Sequence, residues 1–105
     1  MNETTYQREL IGRIEKRFPD CFIMPNNPGF IQGLPDILIL YENMWAMLEV
    51  KMEDSSPQQP NQEYYVAKFD KMSFAAFINP HNEEEILNAL QSAFRVARKA
   101  RVPQP

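Results

Sequence analysis

The chain has 105 residues, 44% of them hydrophobic, and a formal net charge of −3 at pH 7. This length suits one domain, residues 1–105, with a single modest core, and it excludes a second domain of ordinary size. The lone cysteine, Cys21, excludes an internal disulfide, and we interpret it as a buried structural thiol. Because neither a signal sequence nor an apolar run of about 20 residues is present, we expect a soluble, intracellular protein.

The first half of the chain predicts one helix and then three strands. A helix is expected over residues 4–18, where apolar side chains recur at helical spacing: Tyr6, Leu10, Ile11, Ile14 and Phe18. Residues 21–24 predict a short strand, and a loop rich in proline, glycine and asparagine follows it. Two apolar strands are expected over residues 36–41 and 44–52, joined as a hairpin by a tight turn at residues 42 and 43.

The second half predicts two helices around a fourth strand. After a polar connection, Asn61 is expected to cap a helix that ends near residue 72, with a buried stripe of Tyr65, Phe69 and Met72. Residues 73–79 predict a strand. Asn82 is expected to cap a last helix, whose apolar stripe comprises Ile86, Leu90, Ala93, Phe94 and Ala97. Residues 98–105 are expected to form a flexible tail, and the element order α-β-β-β-α-β-α indicates an α/β fold.

Charged residues occur at only a few points of the apolar hairpin. Asp36 opens its first strand, and Glu49 and Lys51 lie two residues apart in the second strand, so their side chains point to the same face. The turn brings both of them back towards Asp36. Burying these charges costs roughly several kcal/mol each unless a partner or a cation compensates. Two carboxylates and one ammonium therefore indicate a site for Mg²⁺ or Mn²⁺ that suits phosphodiester hydrolysis.

These residues resemble the PD-(D/E)XK nuclease superfamily, whose motif is matched by Pro35-Asp36 and Glu49-Val50-Lys51. Within the superfamily, the chain is most similar to small virus-type replication-repair (VRR) nucleases and Holliday-junction resolvases. In these proteins a glycine precedes the Pro-Asp pair and a glutamine opens the following helix, positions held here by Gly33 and Gln62. The resemblance covers about residues 4–79 and implies a restriction-endonuclease-like core, in which helices flank a mixed central sheet.

The resemblance also implies how the motif residues act. Asp36, Glu49 and the backbone carbonyl of Val50 would bind the metal, Mg²⁺ or Mn²⁺. Lys51 would act at the attacking water or at the scissile phosphate.

Two further site residues are implied outside the hairpin. Glu9 on the first helix would be an additional carboxylate, at the catalytic centre or on the metal. Gln62 would orient Lys51 or a DNA phosphate. Gln59 is the alternative to Gln62, because the segment after Lys51 is long and lacks the glycine-containing loop often found in the family.

Basic residues collect in two groups despite the net negative charge. The first helix carries Arg8, Arg13, Lys16 and Arg17, and the end of the chain carries Arg95, Arg98, Lys99 and Arg101. Affinity for DNA comes mainly from neutralising phosphates. We expect DNA contacts from Arg8, Arg13, Arg95 and Arg98. The alternative is that both groups are solvated helix faces.

The sequence thus predicts a metal-dependent DNA endonuclease. The resemblance implies branched DNA, such as a Holliday junction, as its substrate in viral or bacterial recombination and repair. Because one site cuts one strand, we expect a symmetric homodimer, in the cytoplasm of a bacterial or virus-infected host cell. Two alternatives stay open: an exonuclease, flap nuclease or nicking enzyme on unbranched DNA, and a non-catalytic DNA-binding module with the same fold.

Overall fold

The computed structural model describes residues 1–26, 31–53 and 60–101 of the chain. In chain order, its elements are α1 (Glu3–Arg17), β1 (Phe22–Pro25), β2 (Ile37–Tyr41), β3 (Met44–Val50), α2 (Gln62–Met72), β4 (Ala75–Ile78) and α3 (Glu83–Arg101). The predicted order α-β-β-β-α-β-α is confirmed. Within the described ranges, no helix is both long and apolar enough to cross a lipid bilayer.

The four strands form one mixed sheet in the order β1-β2-β3-β4, as expected. The first three strands are antiparallel neighbours, whereas β4 lies parallel to β3 after the chain has passed through α2. The hairpin register pairs Ile37 with Leu48. The residues next to these two, Asp36 and Glu49, therefore also lie opposite each other across the hairpin.

One face of the sheet carries the main hydrophobic core. Alternate residues of β2 and β3 point to this face, and α1 and α3 cover it, so that the buried side chains include Leu10, Ile14, Ile37, Ile39, Leu48 and Leu90. The rings of Phe18, Tyr41 and Phe94 pack against one another, with centroids 5.4 to 5.6 Å apart. Each fully buried aliphatic side chain contributes about 2 kcal/mol, which fixes both helices against the sheet.

The opposite face is covered in part by α2. Trp45 of β3 contacts Phe69 of α2 edge to face, with their centroids 6.1 Å apart. On the edge strand β1 and its neighbour β2, Phe22, Met24 and Leu40 are 63%, 44% and 38% exposed, and Phe22 pairs with Leu40 in the register. These three residues form an apolar surface, called here the outer sheet surface.

The helix ends differ from the predictions in three places. Asn2 caps α1 by accepting a hydrogen bond from the Thr5 N–H at 2.8 Å, so the helix begins before residue 4. Asn61 makes no side-chain capping bond, because it adopts the left-handed conformation with φ of 70°, which asparagine tolerates. The prediction of an Asn61 cap is therefore wrong. Residues 98–101 continue α3 instead of forming a tail, and residues 102–105 lie outside the described ranges.

Two predictions of burial also need correction. Met72 was assigned to the buried stripe of α2 but is 64% exposed, because this helix packs on the sheet through Val66 and Phe69. Cys21 is half-buried rather than buried, at the start of the edge strand β1. The predicted stripe of α1 is confirmed at its centre, where Leu10 and Ile14 are fully buried.

Candidate active site

The structure brings Asp36 and Glu49 into direct contact, as the hairpin pattern predicted. Oε1 of Glu49 accepts a hydrogen bond from the backbone N–H of Asp36 at 3.1 Å. Oδ2 of Asp36 accepts one from the backbone N–H of Val50 at 2.8 Å. Glu49 is only 3% exposed, although glutamate is rarely buried without a partner. The hairpin thus holds two carboxyl groups together in a place largely shielded from water.

Both carboxyl groups have raised pKa values. Burial is the main cause for the pKa of Asp36, and it outweighs the hydrogen bonds from the Val50 N–H and with Glu49, which act in the opposite direction. For Glu49, burial comes first and the negative charge of Asp36 second, and they raise its pKa to about 8. At neutral pH, and without a bound cation, the pair therefore keeps one proton between its two carboxyl groups.

Gln62 opens α2 and holds Glu49 in place. Its side-chain Nε2 donates a hydrogen bond to Oε2 of Glu49 at 2.5 Å. The resemblance implied that Gln62 would orient Lys51 or a DNA phosphate, whereas this bond orients the carboxylate. Since the Asp36 N–H binds Oε1, both oxygens of Glu49 are fixed. The alternative residue, Gln59, lies outside the described residues.

Gly33 allows the loop before Asp36 to pack against the start of α2. Its φ is 93°, in the region that favours glycine. A Cβ atom here would lie 2.6 Å from the carbonyl oxygen of Pro60 and 2.8 Å from the Cβ of Asn61, which is closer than real Cβ atoms approach other atoms. The close contact made by Gly33 therefore positions Gln62 beside Glu49.

Lys51 lies directly after β3, on the side of the sheet that carries Glu49. Its Nζ is 5.7 Å from the ring centroid of Phe77, the residue of β4 that pairs with Glu49. Among the described residues, no carboxylate forms an ion pair with Lys51 within 4.0 Å. Within this part of the chain, its ammonium is thus not neutralised by an ion pair.

The carboxylate of α1 that influences the pair is Glu3, not the predicted Glu9. Partial burial and then the charge of Asp36 raise the pKa of Glu3, and Glu3 in turn contributes to the raised pKa of Glu49. Glu3 and Glu9 are both exposed, and the charge of Glu9 acts on Arg13. At 100° per residue, Glu3 lies in line with the buried stripe of α1, whereas Glu9 points about 100° away from it. Glu3 is thus an α1 carboxylate that acts on the pair, and the role of Glu9 at the site stays a prediction.

The donor set at the acidic pair fits a hard divalent cation. Within the described residues, no group of three or more His, Cys, Asp and Glu side chains is arranged to hold a metal ion. The side-chain ligands from this part of the chain would therefore be Asp36 and Glu49. Mg²⁺ is commonly bound in this way, by one or two carboxylates together with water and substrate phosphates. The predicted contribution of the Val50 carbonyl stays a prediction.

Two of the four arginines predicted to contact DNA are held in ion pairs. Arg13 of α1 donates two hydrogen bonds to Glu83 of α3, the shorter at 2.6 Å. Arg98 forms an ion pair with Glu42 in the β2–β3 turn. This turn is at the opposite end of the hairpin from Asp36, roughly 17 Å away. A DNA contact by Arg98 stays a prediction, and it would lie away from Asp36.

Of the other two arginines, Arg95 also lies apart from the acidic pair. Arg95 lines a recess with Phe18, Tyr41 and Arg98, at the end of the molecule that carries the β2–β3 turn. Arg8 is exposed on α1. A DNA contact by Arg8 stays a prediction, and phosphates at the site need other cations nearby.

Comparison with known proteins gives a structural relative for this arrangement. No protein-family model and no curated protein matches the chain. A solved structure described as a VRR_NUC domain is similar to it, with 17% sequence identity and a TM-score of 0.56. The similarity covers 77% of this chain and 92% of the other. The chain therefore has the fold of a VRR_NUC domain, as its Pro-Asp and Glu-Val-Lys segments predicted.

Proposed function

We propose that the protein is a metal-dependent deoxyribonuclease that hydrolyses phosphodiester bonds within DNA. The observation that carries this proposal is the buried Glu49 in contact with the half-buried Asp36. Lys51 lies on the same side of the sheet, and among the described residues no ion pair neutralises its ammonium. Burying two carboxyl groups together costs free energy that a structural role does not require. The shared fold with a VRR_NUC domain supports nuclease chemistry as the use for this pair.

Each residue of the site has a distinct part in the proposed reaction. Asp36 and Glu49 would hold Mg²⁺ or Mn²⁺, which polarises phosphoryl oxygens and lowers the pKa of water when bound in such a site. Gln62 keeps the Glu49 carboxylate in position through Oε2. Lys51 stabilises the negative charge that develops on the phosphate in the transition state. Glu3 strengthens the negative potential that attracts the cation.

The proposed substrate is branched DNA, such as a Holliday junction formed in viral or bacterial recombination and repair. One chain offers one site, whereas resolving a junction needs two incisions, so we propose a twofold-symmetric homodimer as the active form. The outer sheet surface of Phe22, Met24 and Leu40 supports this assembly. Exposed apolar side chains that lie next to each other are typical of protein interfaces.

A cleavage assay tests the nuclease proposal. Purified protein is incubated with labelled four-way junction, flap and linear duplex, with and without Mg²⁺. Asp36→Asn, Glu49→Gln and Lys51→Ala should each lower the cleavage rate by about a hundredfold or more, the scale of losing a metal ligand or a transition-state charge. Glu15→Gln, which changes an exposed carboxylate of α1, is the matched control and should cleave like the wild type.

The assay separates the proposed function from its alternatives. Circular dichroism of the variants ensures that a lost activity does not reflect a lost fold. Full activity of Lys51→Ala would refute its role. DNA binding without any Mg²⁺-dependent cleavage by the wild type would instead support a non-catalytic binding module.

A further inference from the structure

The outer face of α2 combines an aromatic ring with two lysines. Tyr64, Lys68 and Lys71 follow one another at spacings of four and three residues, so they lie on one side of the helix. This side is opposite the buried Val66. Together with Ala67 and Met72, the three residues line a shallow concave surface. Tyr64 is 61% exposed, so its ring is open to contact from outside.

Lys68 and Lys71 are not neutralised within the described part of the chain. Neither forms an ion pair there, whereas Arg13, Arg17 and Arg98 each pair with a carboxylate. The carboxylate of Asp70, next to Lys71 in the chain, instead accepts a hydrogen bond from the backbone N–H of Ala75 at 3.1 Å. This face of α2 is therefore a positively charged stripe on a protein whose net charge is negative.

The helix that carries the stripe begins beside the candidate active site. Gln62, the first residue of α2, contacts Glu49 directly. With a rise of 1.5 Å per residue, Lys68 lies about 9 Å and Lys71 about 14 Å from Gln62 along the helix axis. Phosphates of a DNA strand recur about every 3.4 Å along the duplex axis. Along the helix axis, the two lysines are thus about three and four phosphate spacings from Gln62.

We propose that the outer face of α2 is the surface that binds the DNA backbone next to the cleavage site. Lys68 and Lys71 neutralise phosphates, and the ring of Tyr64 packs against the sugar or base between them and the site. The charge of the stripe matches a polyanion, and the helix that carries it begins at the site, where Gln62 on the buried side of α2 contacts Glu49. This inference rests on the proposed nuclease function, because it names the DNA contact of that same site.

DNA binding by two double variants tests the proposal. K68Q/K71Q removes the two lysines of the stripe. The control K16Q/K99Q removes two exposed lysines, each near the C-terminal end of its helix, α1 or α3. Fluorescence anisotropy with labelled junction DNA in EDTA, between 50 and 200 mM salt, measures affinity without cleavage. Each lost phosphate contact should lower the slope of log affinity against log salt by about 0.9, so K68Q/K71Q should lose about two units of slope.

The same assay examines Tyr64. Tyr64→Ala should weaken binding by about tenfold, since it loses the ring, whereas Tyr64→Phe should bind like the wild type. K16Q/K99Q should keep the wild-type slope. Equal melting temperatures for all variants, which change only exposed side chains, would exclude unfolding as the cause.

The outcomes separate this inference from the proposed function. If both double variants kept the wild-type slope of log affinity against log salt, and the wild type cleaved DNA with Mg²⁺, the α2 surface would be overturned and the nuclease proposal would stand. If only K68Q/K71Q had a reduced slope and the wild type never cleaved DNA, the result would support the α2 surface and refute the nuclease proposal. Failure of the wild type to bind DNA would overturn both.

Discussion

The proton shared by Asp36 and Glu49 links the stability of the metal-free protein to pH. The pKa of Glu49 is raised to about 8 in the folded chain, from an ordinary value of 4.5. Between these two values the folded chain holds a proton that the unfolded chain has released. The free energy of unfolding therefore falls as pH rises from about 4.5 to about 8.

This relation gives a prediction at the scale of one residue. In EDTA, the melting temperature of the wild type should fall between about pH 5 and pH 8. Glu49→Gln should show a much smaller fall, because its side chain does not ionise. Thermal unfolding followed by circular dichroism at several pH values measures the difference. Glu15→Gln should show the same fall of melting temperature with pH as the wild type. A wild type whose melting temperature does not change with pH would contradict the raised pKa of Glu49.

Glu3 and Glu9 provide a matched pair for testing the site. Glu3→Gln should lower the rate of Mg²⁺-dependent cleavage by about tenfold, because it removes a negative charge that acts on Asp36 and Glu49. Glu9→Gln removes the same charge from the same helix at an exposed position. It should change the rate by less than about twofold. The reverse order of the two effects would support the role of Glu9 at the site.

Local patterns predict only part of this site. The alternation of side chains along a hairpin was sufficient to place Glu49 beside Asp36. The position of Glu3 was also predictable, because it continues the stripe of Leu10 and Ile14 by about two turns, but the helix was expected to begin only at residue 4. The ion pair between Arg98 and Glu42 could not be read from the sequence, since the residues are far apart in the chain and meet only through tertiary packing.

At the scale of elements, the close contact between Gly33 and the start of α2 gives a second matched pair. Gly33→Ala places a Cβ 2.6 Å from a backbone oxygen at a positive φ, so it should destabilise the fold by about 2 kcal/mol or more. It should also lower the cleavage rate, because Gln62 would be displaced from Glu49. Gly12→Ala, inside α1 with no atom within 4 Å of the added Cβ, should instead stabilise the fold by about 0.5 to 1 kcal/mol.

Urea unfolding of both variants measures the two changes. If Gly33→Ala retained the wild-type stability and activity, the loop before Asp36 would not be fixed by this contact. The element order, by contrast, was predictable because each helix and strand shows its own hydrophobic period. The buried face of α2 was not predictable from the sequence, because apolar residues surround much of this helix. Only packing against Trp45 selects Val66 and Phe69.

At the scale of the whole molecule, the outer sheet surface predicts the dimer contact. Light scattering should give twice the 12.3 kDa mass of one chain. Phe22→Ser combined with Leu40→Ser should shift the protein towards the monomer, because it removes two exposed apolar side chains that are neighbours in the sheet. Met72→Ser, which changes an equally exposed apolar side chain on α2, should remain dimeric.

Cleavage assays complete this test. A dimer should cut four-way junctions faster than linear duplex of the same length, whereas the Phe22→Ser/Leu40→Ser monomer should lose that preference. A wild-type monomer that nicks linear duplex as fast as junctions would refute both the dimer and the branched substrate. The proposed chemistry at Asp36 and Glu49 would remain.

All three helices begin at the end of the molecule that carries the acidic pair. The start of α1 holds Glu3, the start of α2 holds Gln62, and the start of α3 follows directly after β4, whose Phe77 lies beside Glu49. Each helix start carries roughly half a positive elementary charge from its aligned peptide dipoles. Each of these positive ends carries acidic side chains in its first turn, among them Glu3, Glu63 and Glu83, which the dipoles stabilise. The arginines near the end of α3 lie at the opposite, negative pole, where they stabilise their own helix.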